Sequence, residues 1–394
     1  MKEVWIVGAA RTPVGSFNGV FATVTCTDLG ATAIRGAIER SGVSDDDIDE
    51  VIMGCVLPAN QGQAPARMAM IKAGLPAKVA AMTINKVCGS GLKSVGLGVQ
   101  AILCGDADVV VAGGMESMTL APHSLAKTRA GYRMGNFTLE DTMIKDGLWD
   151  SHNNCHMGNF ADQTAAKYGY TREQLDEFTI ASYKKAIQAQ KDGIFDWEIV
   201  PVKVPQRRGD PLVIDQDEEP GRGKFDKIPK LRPAFNKDGV ITAANASSIN
   251  DGAGAVVLVS AEKGKALGLT PLVKFVAQAT ASLEPQWFTL APIDSIKKVL
   301  AKADWQADDV DVWEINEAFS VVSLKTNDDL GLDPDKVDLH GGAVAIGHPI
   351  GASGTRILLT LLNIMQRNPE MKRGAASLCI GGGEAIAMLF EKVE

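Results

Sequence analysis

The 394-residue chain lacks any Cys-x-x-Cys pair: its six cysteines, at 26, 55, 88, 104, 155 and 379, are scattered. That spacing excludes a dense disulfide framework or a zinc knuckle and suits a reducing compartment. Positive charge is also in short supply. Lys and Arg number 40 against 48 Asp and Glu, a formal net charge of −8, which leaves no basic footprint for nucleic acid. No uninterrupted apolar run approaches the roughly 18 residues a membrane span needs. The opening stretch, MKEVWIVGAARTPVG, has too short an apolar patch for a secretory leader and reads as a first strand entering a turn. A cytoplasmic protein is expected, with no nucleic-acid partner, no membrane and no metal. In HNNCH (152–156), His152 and His156 could share a helix face and a metal, but the motif holds no carboxylate and its asparagines favour a loop.

What is present is an alternation of short β-rich runs with longer helical patterns. DVVVAGG (108–114) and AASLCIGGG (375–383) read as buried strands; TDLGATAIRGAIER (27–40) and PIDSIKKVLAKA (292–303) carry apolar residues at helical spacing. This is α/β architecture. A faint repeat runs through it. SDDDIDEVIMG (44–54) resembles QADDVDVWEIN (306–316), and some 40 residues on each copy reaches a Ser-Gly helix start, in CGSGLKSVG and IGASGTRIL. Each then ends on a glycine-capped strand, VAGGMES and CIGGGEA. Two related halves are expected. Between them, residues 119–249 hold most of the charged, Pro- and Gly-rich sequence, a long irregular excursion of the kind that covers a site.

Chemistry concentrates in a few motifs. In NKVCGSGLK (85–93), Cys88 precedes a glycine turn and a helix start, whose unpaired N–H groups favour a thiolate. It reads as a nucleophile or as a packed core thiol. Asn316 in NEAF could cap a helix, His348 in GGAVAIGHPIGASG could be a turn residue, and Cys379 in CIGGGEA could be a second core thiol. Together the four supply two thiols, an imidazole and an amide at strand ends and helix starts. Acyl transfer needs such a set: a nucleophile, a base, and donors aimed at an oxyanion.

With NKVCGSGLK, AGGMESMT, HMG, LRPAF, ANASSINDGAGA, NEAF, GHPIGASG and CIGGG in this order, the chain resembles the thiolase family over its whole length. The resemblance implies the thiolase fold: two related βα halves stacked as a five-layer α-β-α-β-α core plus an inserted loop domain. The first half would comprise 1–118 with 250–270, the CoA-covering loop domain 119–249, and the second half 271–394. It implies that Cys88 takes the acyl group and that His348 receives its proton. His348, with a water held by Asn316, would stabilise the enolate of the second acyl-CoA. Cys379 would be the acid and base, and the N–H groups of Cys88 and Gly381 would bind the other oxyanion. Leu148, His156, Met157, Arg222, Phe235, Ala243, Ser247, Ala318 and Phe319 would surround the CoA arm, with Phe288 at the acyl end. The implied reaction joins two acetyl-CoA into acetoacetyl-CoA and CoA, with CoA thioesters as substrates, no cofactor, and a homo-oligomer, usually a dimer of dimers. A thiolase acting on longer or branched 3-ketoacyl-CoA is the alternative.

The chain departs from the family pattern in places. Glu384-Ala385 stands where CxGGGxG ends in glycine, WFTLAP (287–292) replaces a Met-Gly turn, Ile315 precedes NEAF where Ala is frequent, and Ser248 replaces a usual Gly. Arg222 lies in EEPGRGKFDKIP, which leaves the family sequence. A papain-like hydrolase would share Cys88, His348 and Asn316 in type, but it has no need of Cys379. A non-catalytic CoA carrier has no need of any of the four.

Overall fold

The computed structural model describes residues 2–393. The first half is built from β1 (Val4–Arg11), α1 (Cys26–Ser41), β2 (Glu50–Gly54), α2 (Pro65–Lys72), β3 (Ala80–Ile84), α3 (Ser90–Cys104) and β4 (Val109–Ser117). The chain then leaves through α4 (Met157–Tyr168) and α5 (Arg172–Lys191) and returns as β5 (Asn250–Ser260) and α6 (Ala261–Ala266). The second half follows: β6 (Val273–Ser282), α7 (Ala291–Ala303), β7 (Val312–Ile315), α8 (Ser320–Leu330), α9 (Ala343–Ile346), α10 (Ser353–Arg367), β8 (Arg373–Ile380) and β9 (Glu384–Glu391).

The repeat is a repeat of topology. The first half orders its strands β3-β2-β4-β5-β1, and the second orders β7-β8-β9-β6, with a parallel bridge from Trp313 to Val337 in place of a fifth strand. Matching pairs run the same way: β2 with β4 and β7 with β8 are parallel, β4 with β5 and β8 with β9 antiparallel. The acidic turns align too, as 3₁₀ turns Asp45–Asp47 and Ala307–Asp309 before β2 and β7.

Helices α1 and α2 cover the outer face of the first sheet and α7 that of the second. Between the sheets lie α3 and α10, sharing one core with both through Leu92, Val95, Val99, Leu358 and Leu361. These are the five layers. The two sheets also join edge to edge, because β1 and β6 pair at Trp5–Lys274 and Ile6–Val273. The stretch Val87–Cys104, containing α3, is apolar and long enough to cross a membrane by length and composition, although no uninterrupted run suggested it. Its Gly and Ser positions break the run without making it polar, and the helix serves as core.

Two glycines set how closely the central helices meet. A Cβ on Gly354 would sit 2.4 Å from Leu92 N, and one on Gly91 would sit 2.8 Å from Thr355 N. The Ser-Gly starts of the two halves therefore touch backbone to backbone. That contact brings their N-terminal turns to one point.

The excursion is more regular than its composition predicts. Its helices α4 and α5 both open on capping boxes, His156 with Asn159 and Thr171 with Gln174. The Thr-x-x-Gln signal at 171–174 was there to be read.

Candidate active site

Cys88 sits on the turn between β3 and α3. Asn85 Oδ1 accepts from Val87 N–H (2.8 Å), and Ser90 Oγ accepts from Lys86 N–H (2.8 Å) while donating to Val87 O (2.7 Å). These bonds hold Val87 at φ +45°, an unusual conformation for a β-branched residue and one that stores strain. The turn presents the half-buried Cys88 thiol to a cavity of about 510 Å³. Such a volume suits a medium-sized ligand.

Every sequence-predicted site residue except Asn316 lines that cavity. Cys88, His348, Cys379 and Gly381 form its floor; Leu148, Met157, Phe235, Ala243, Ser247, Phe288, Ala318 and Phe319 form its largely apolar walls, with His156 and Arg222 as polar members. Asn316 lies just behind, its Nδ2 3.5 Å from His348 Nδ1. The cavity also takes in residues the sequence did not single out, among them Ser16, Met118, Glu219 and Ile350.

His348 is buried and its hydrogen bonds define its tautomer. Ser353 Oγ donates to Pro349 O (2.9 Å), so it accepts from His348 Nδ1–H at 2.6 Å. Nε2 then carries the lone pair, and it has no partner among the described residues. Asn250 fixes the backbone: its Oδ1 accepts from His348 N–H (2.7 Å) and from Ser248 Oγ (2.8 Å). Gly347, at φ +112°, is needed there because a Cβ would sit 2.6 Å from the Asn250 amide. Ser353 and Asn250 are positioning groups that the sequence reading passed over. An Asn316 amide turned so that Oδ1 faces Nδ1–H would also resolve the donor–donor clash at 3.5 Å and aim Nδ2 where the unpartnered Oδ1 now points.

The electrostatics correct one expectation. The helix start was expected to favour a Cys88 thiolate; instead burial pushes its pKa up to about 11, while the N–H groups of Gly381 and Cys88 pull the other way. A helix terminus is worth about 0.3–1 kcal/mol, whereas stripping water from an anion costs several. Burial wins. The same cause, with Arg356 adding to it, lowers His348 to about 3, and burial beside Cys88 drives Cys379 well above the usual thiol range. At neutral pH both thiols are protonated and the imidazole is neutral.

The wall residues are equally specific. Phe288 is buried and turned inward, edge-on to Phe319 (6.2 Å between ring centres) and tilted against Phe160 (6.4 Å). Neighbouring Trp287 faces the other way, under the Lys167 ammonium at 3.8 Å. His156 Nδ1 accepts from Gly158 N–H (3.1 Å), leaving Nε2–H as its donor, and its ring stacks on Phe235 at 4.6 Å. His152 lies in an exposed turn and does not share a helix face with it. Arg222, half-exposed and 3.3 Å from Glu218, stands at the mouth. From it a second depression of about 500 Å³ continues past Tyr183, Lys224 and Lys227.

The chain matches two families along nearly its whole length: the thiolase N-terminal domain over residues 4–262 and the thiolase C-terminal domain over residues 269–392. It is 54% identical to the acetyl-CoA acetyltransferase of Cupriavidus necator and 52% identical to that of Pseudomonas aeruginosa, covering all of both chains. Among solved structures it is similar to the Bacillus anthracis acetyl-CoA acetyltransferase, with a TM-score of 0.97 and 38% identity, covering all of this chain and 99% of that one. It is also similar to the Ascaris suum Acat5 thiolase in complex with coenzyme A, with a TM-score of 0.95 and 43% identity over the full length of both.

Proposed function

Because the chain belongs to the thiolase family, we propose that it is an acetyl-CoA C-acetyltransferase. It joins two acetyl-CoA into acetoacetyl-CoA and CoA, reversibly, through an acetyl group on Cys88. The observation that carries this reading is the convergence of Cys88, His348, Cys379 and Gly381 on the floor of one apolar cavity.

In the first half-reaction Cys88 Sγ attacks the thioester carbon as His348 Nε2 takes its proton. The N–H groups of Cys88 and Gly381 bind the resulting oxyanion. Collapse expels CoA as a thiolate, which Cys379 protonates. The Cys379 thiolate so formed then removes the α-proton of a second acetyl-CoA. The imidazolium of His348 and a water held by Asn316 stabilise the enolate. Its carbon attacks acetyl-Cys88, the Cys88 thiolate leaves, and His348 returns the proton. Every proton is accounted for. The raised pKa of Cys379 makes its thiolate a strong base, formed only when a departing CoA takes its proton.

The apolar tunnel suits a pantetheine arm, with His156 and Ser247 among its polar contacts. The basic depression of Arg222, Lys224 and Lys227 suits the phosphates of the nucleotide. No metal or organic cofactor is assigned a step. The family habit is a dimer of dimers, and we take that as the expected state, with the cytoplasm as the expected compartment.

Incubation with acetyl-CoA alone tests the reading. Free CoA and acetoacetyl-CoA should appear, and intact-protein mass spectrometry should show one added acetyl, which peptide mapping should place on Cys88. Hydrolysis to acetate without acetoacetyl-CoA would favour a cysteine hydrolase instead.

A further inference from the structure

The turn carrying Cys88 belongs to the first half, and the turn carrying Gly381 belongs to the second. Something must hold one against the other, since Cys88 and Gly381 line the same cavity and a Cβ on Gly381 would sit 3.5 Å from Val87 Cγ1. The second turn has few means of its own. Residues 381–383 are all glycine, Gly382 and Gly383 lie at φ +89° and +93°, and no atom stands within 4 Å of a Cβ built on Gly382. Beyond the Ile380–Glu384 pairing that closes its hairpin, its backbone anchor is Leu283 N–H donating to Gly383 O at 2.8 Å.

The departure from the family pattern, Ala385 in place of glycine, lies one residue beyond Glu384. Glu384, directly after the glycines, accepts from Lys86 Nζ at 2.6 Å, and Lys86 lies two residues before Cys88. Ser282 Oγ holds the other carboxylate oxygen at 3.3 Å. Among the described residues, Lys86–Glu384 is the one hydrogen bond between side chains from the 85–90 turn into the second half; the bonds of Asn85 and Ser90 stay within the first. The side chains are 21% and 35% exposed, so the pair adds little to stability. Placement is a different matter, because an error of an ångström at a reacting centre costs far more in rate than in folding.

We propose that Lys86 and Glu384 are a positioning pair, an ionic clamp that sets the Gly381 N–H against Cys88. The proposal rests on Cys88 being the nucleophile. The clamp acts on the acylation step and not on CoA binding, which takes place further up the tunnel.

The test is a double-mutant cycle with Lys86→Met, Glu384→Gln and both together, in the full-length enzyme. Measured quantities are kcat and KM for acetoacetyl-CoA thiolysis, melting temperature, and the rate of iodoacetamide alkylation with peptide mapping. Each single variant should lose about tenfold in kcat with KM for CoA moved less than about twofold, and the double variant should be no worse than either single. Lys86→Arg should keep most of the rate, which guards against a folding defect. Losses that multiply in the double variant overturn the clamp, as does an unchanged kcat beside a lowered melting temperature. Alkylation mapping away from Cys88 in the native enzyme would defeat the nucleophile assignment instead, and so separates the two failures.

Discussion

At the start of its central helix the first half carries Cys88, on the turn before α3; at the matching start of α10 the second half carries His348 and Ser353. At the end of the next strand the first half places Glu116 in β4, and the second places Cys379 in β8. Topology is shared element by element, yet the chemistry is not. Glu116 is no reactive mirror of Cys379. Its carboxylate accepts from Val56 N–H (3.0 Å), Leu57 N–H (3.1 Å) and Gly351 N–H (2.8 Å), binding the loop after His348 to the first half. Burial raises its pKa to about 7 even so. A doubled fold has thus been divided: one half supplies the nucleophile and a structural carboxylate, the other the base and the second thiol. The glycine contact of α3 with α10 makes the two helix starts one site.

The two thiols are the sharpest place to break that comparison. Cys88→Ser should abolish the acetyl-enzyme and lower turnover by at least about a thousandfold, because a hydroxyl lacks thiolate character at neutral pH. Acetyl found on Cys379 alone in the native enzyme would exchange the roles of the halves. Cys379→Ser should separate the steps. Acetylation of Cys88 should persist, slowed, while exchange of acetyl-CoA α-protons into deuterated water collapses. Exchange at native rate would place the base elsewhere.

A smaller effect tests the difference in burial. With Cys88 pushed up to about 11, its thiolate fraction grows tenfold per pH unit below that value. Alkylation of the free enzyme at Cys88 should therefore climb about tenfold per unit from pH 7 towards pH 10. A plateau beginning near pH 7 would mean that the helix start, and not burial, governs this thiol.

How much of this was legible in the sequence depended on range. Local signals were faithful: the helix read at 27–40 is Cys26–Ser41, that at 292–303 is Ala291–Ala303, and the strand read from Asp108 begins at Val109. The repeat was visible because its acidic turns and Ser-Gly starts are local too. What could not be read joins distant residues. The β1–β6 pairing makes two sheets continuous, and Asn250 holds a backbone N–H 98 positions away. Asn250 lay inside a quoted motif with no role, since no spacing rule points it at His348. The thiol was misjudged for a similar reason. A helix start is written in sequence, but the apolar wall of Met118, Leu148 and Ile350 that strips water from the site is not.

The smallest effect concerns the acyl end of the cavity, where WFTLAP departs from its family. Phe288 lies in the second half, yet it packs with Met157 and Phe160 of the excursion and with Phe319 and Cys379. Its ring cannot fold aside as a methionine would, and Thr289, fixed to Thr164 at 2.6 Å, holds the turn on which it sits. The inward ring should therefore leave room for acetyl and acetoacetyl groups and crowd longer chains. Each methylene in such a pocket is worth about 1–3 kcal/mol. Phe288→Ala should raise kcat/KM for 3-ketohexanoyl-CoA relative to acetoacetyl-CoA by about tenfold, since two methylenes are accommodated while some of the new space collapses. A loss of stability will accompany it, so the ratio of substrates, measured on the same preparation, is the quantity that decides. An unchanged ratio would place the acyl chain along another wall. A native enzyme that already favours the longer substrate would pass the acetyl assignment to the longer-chain alternative while leaving the division of chemistry between the halves as it stands.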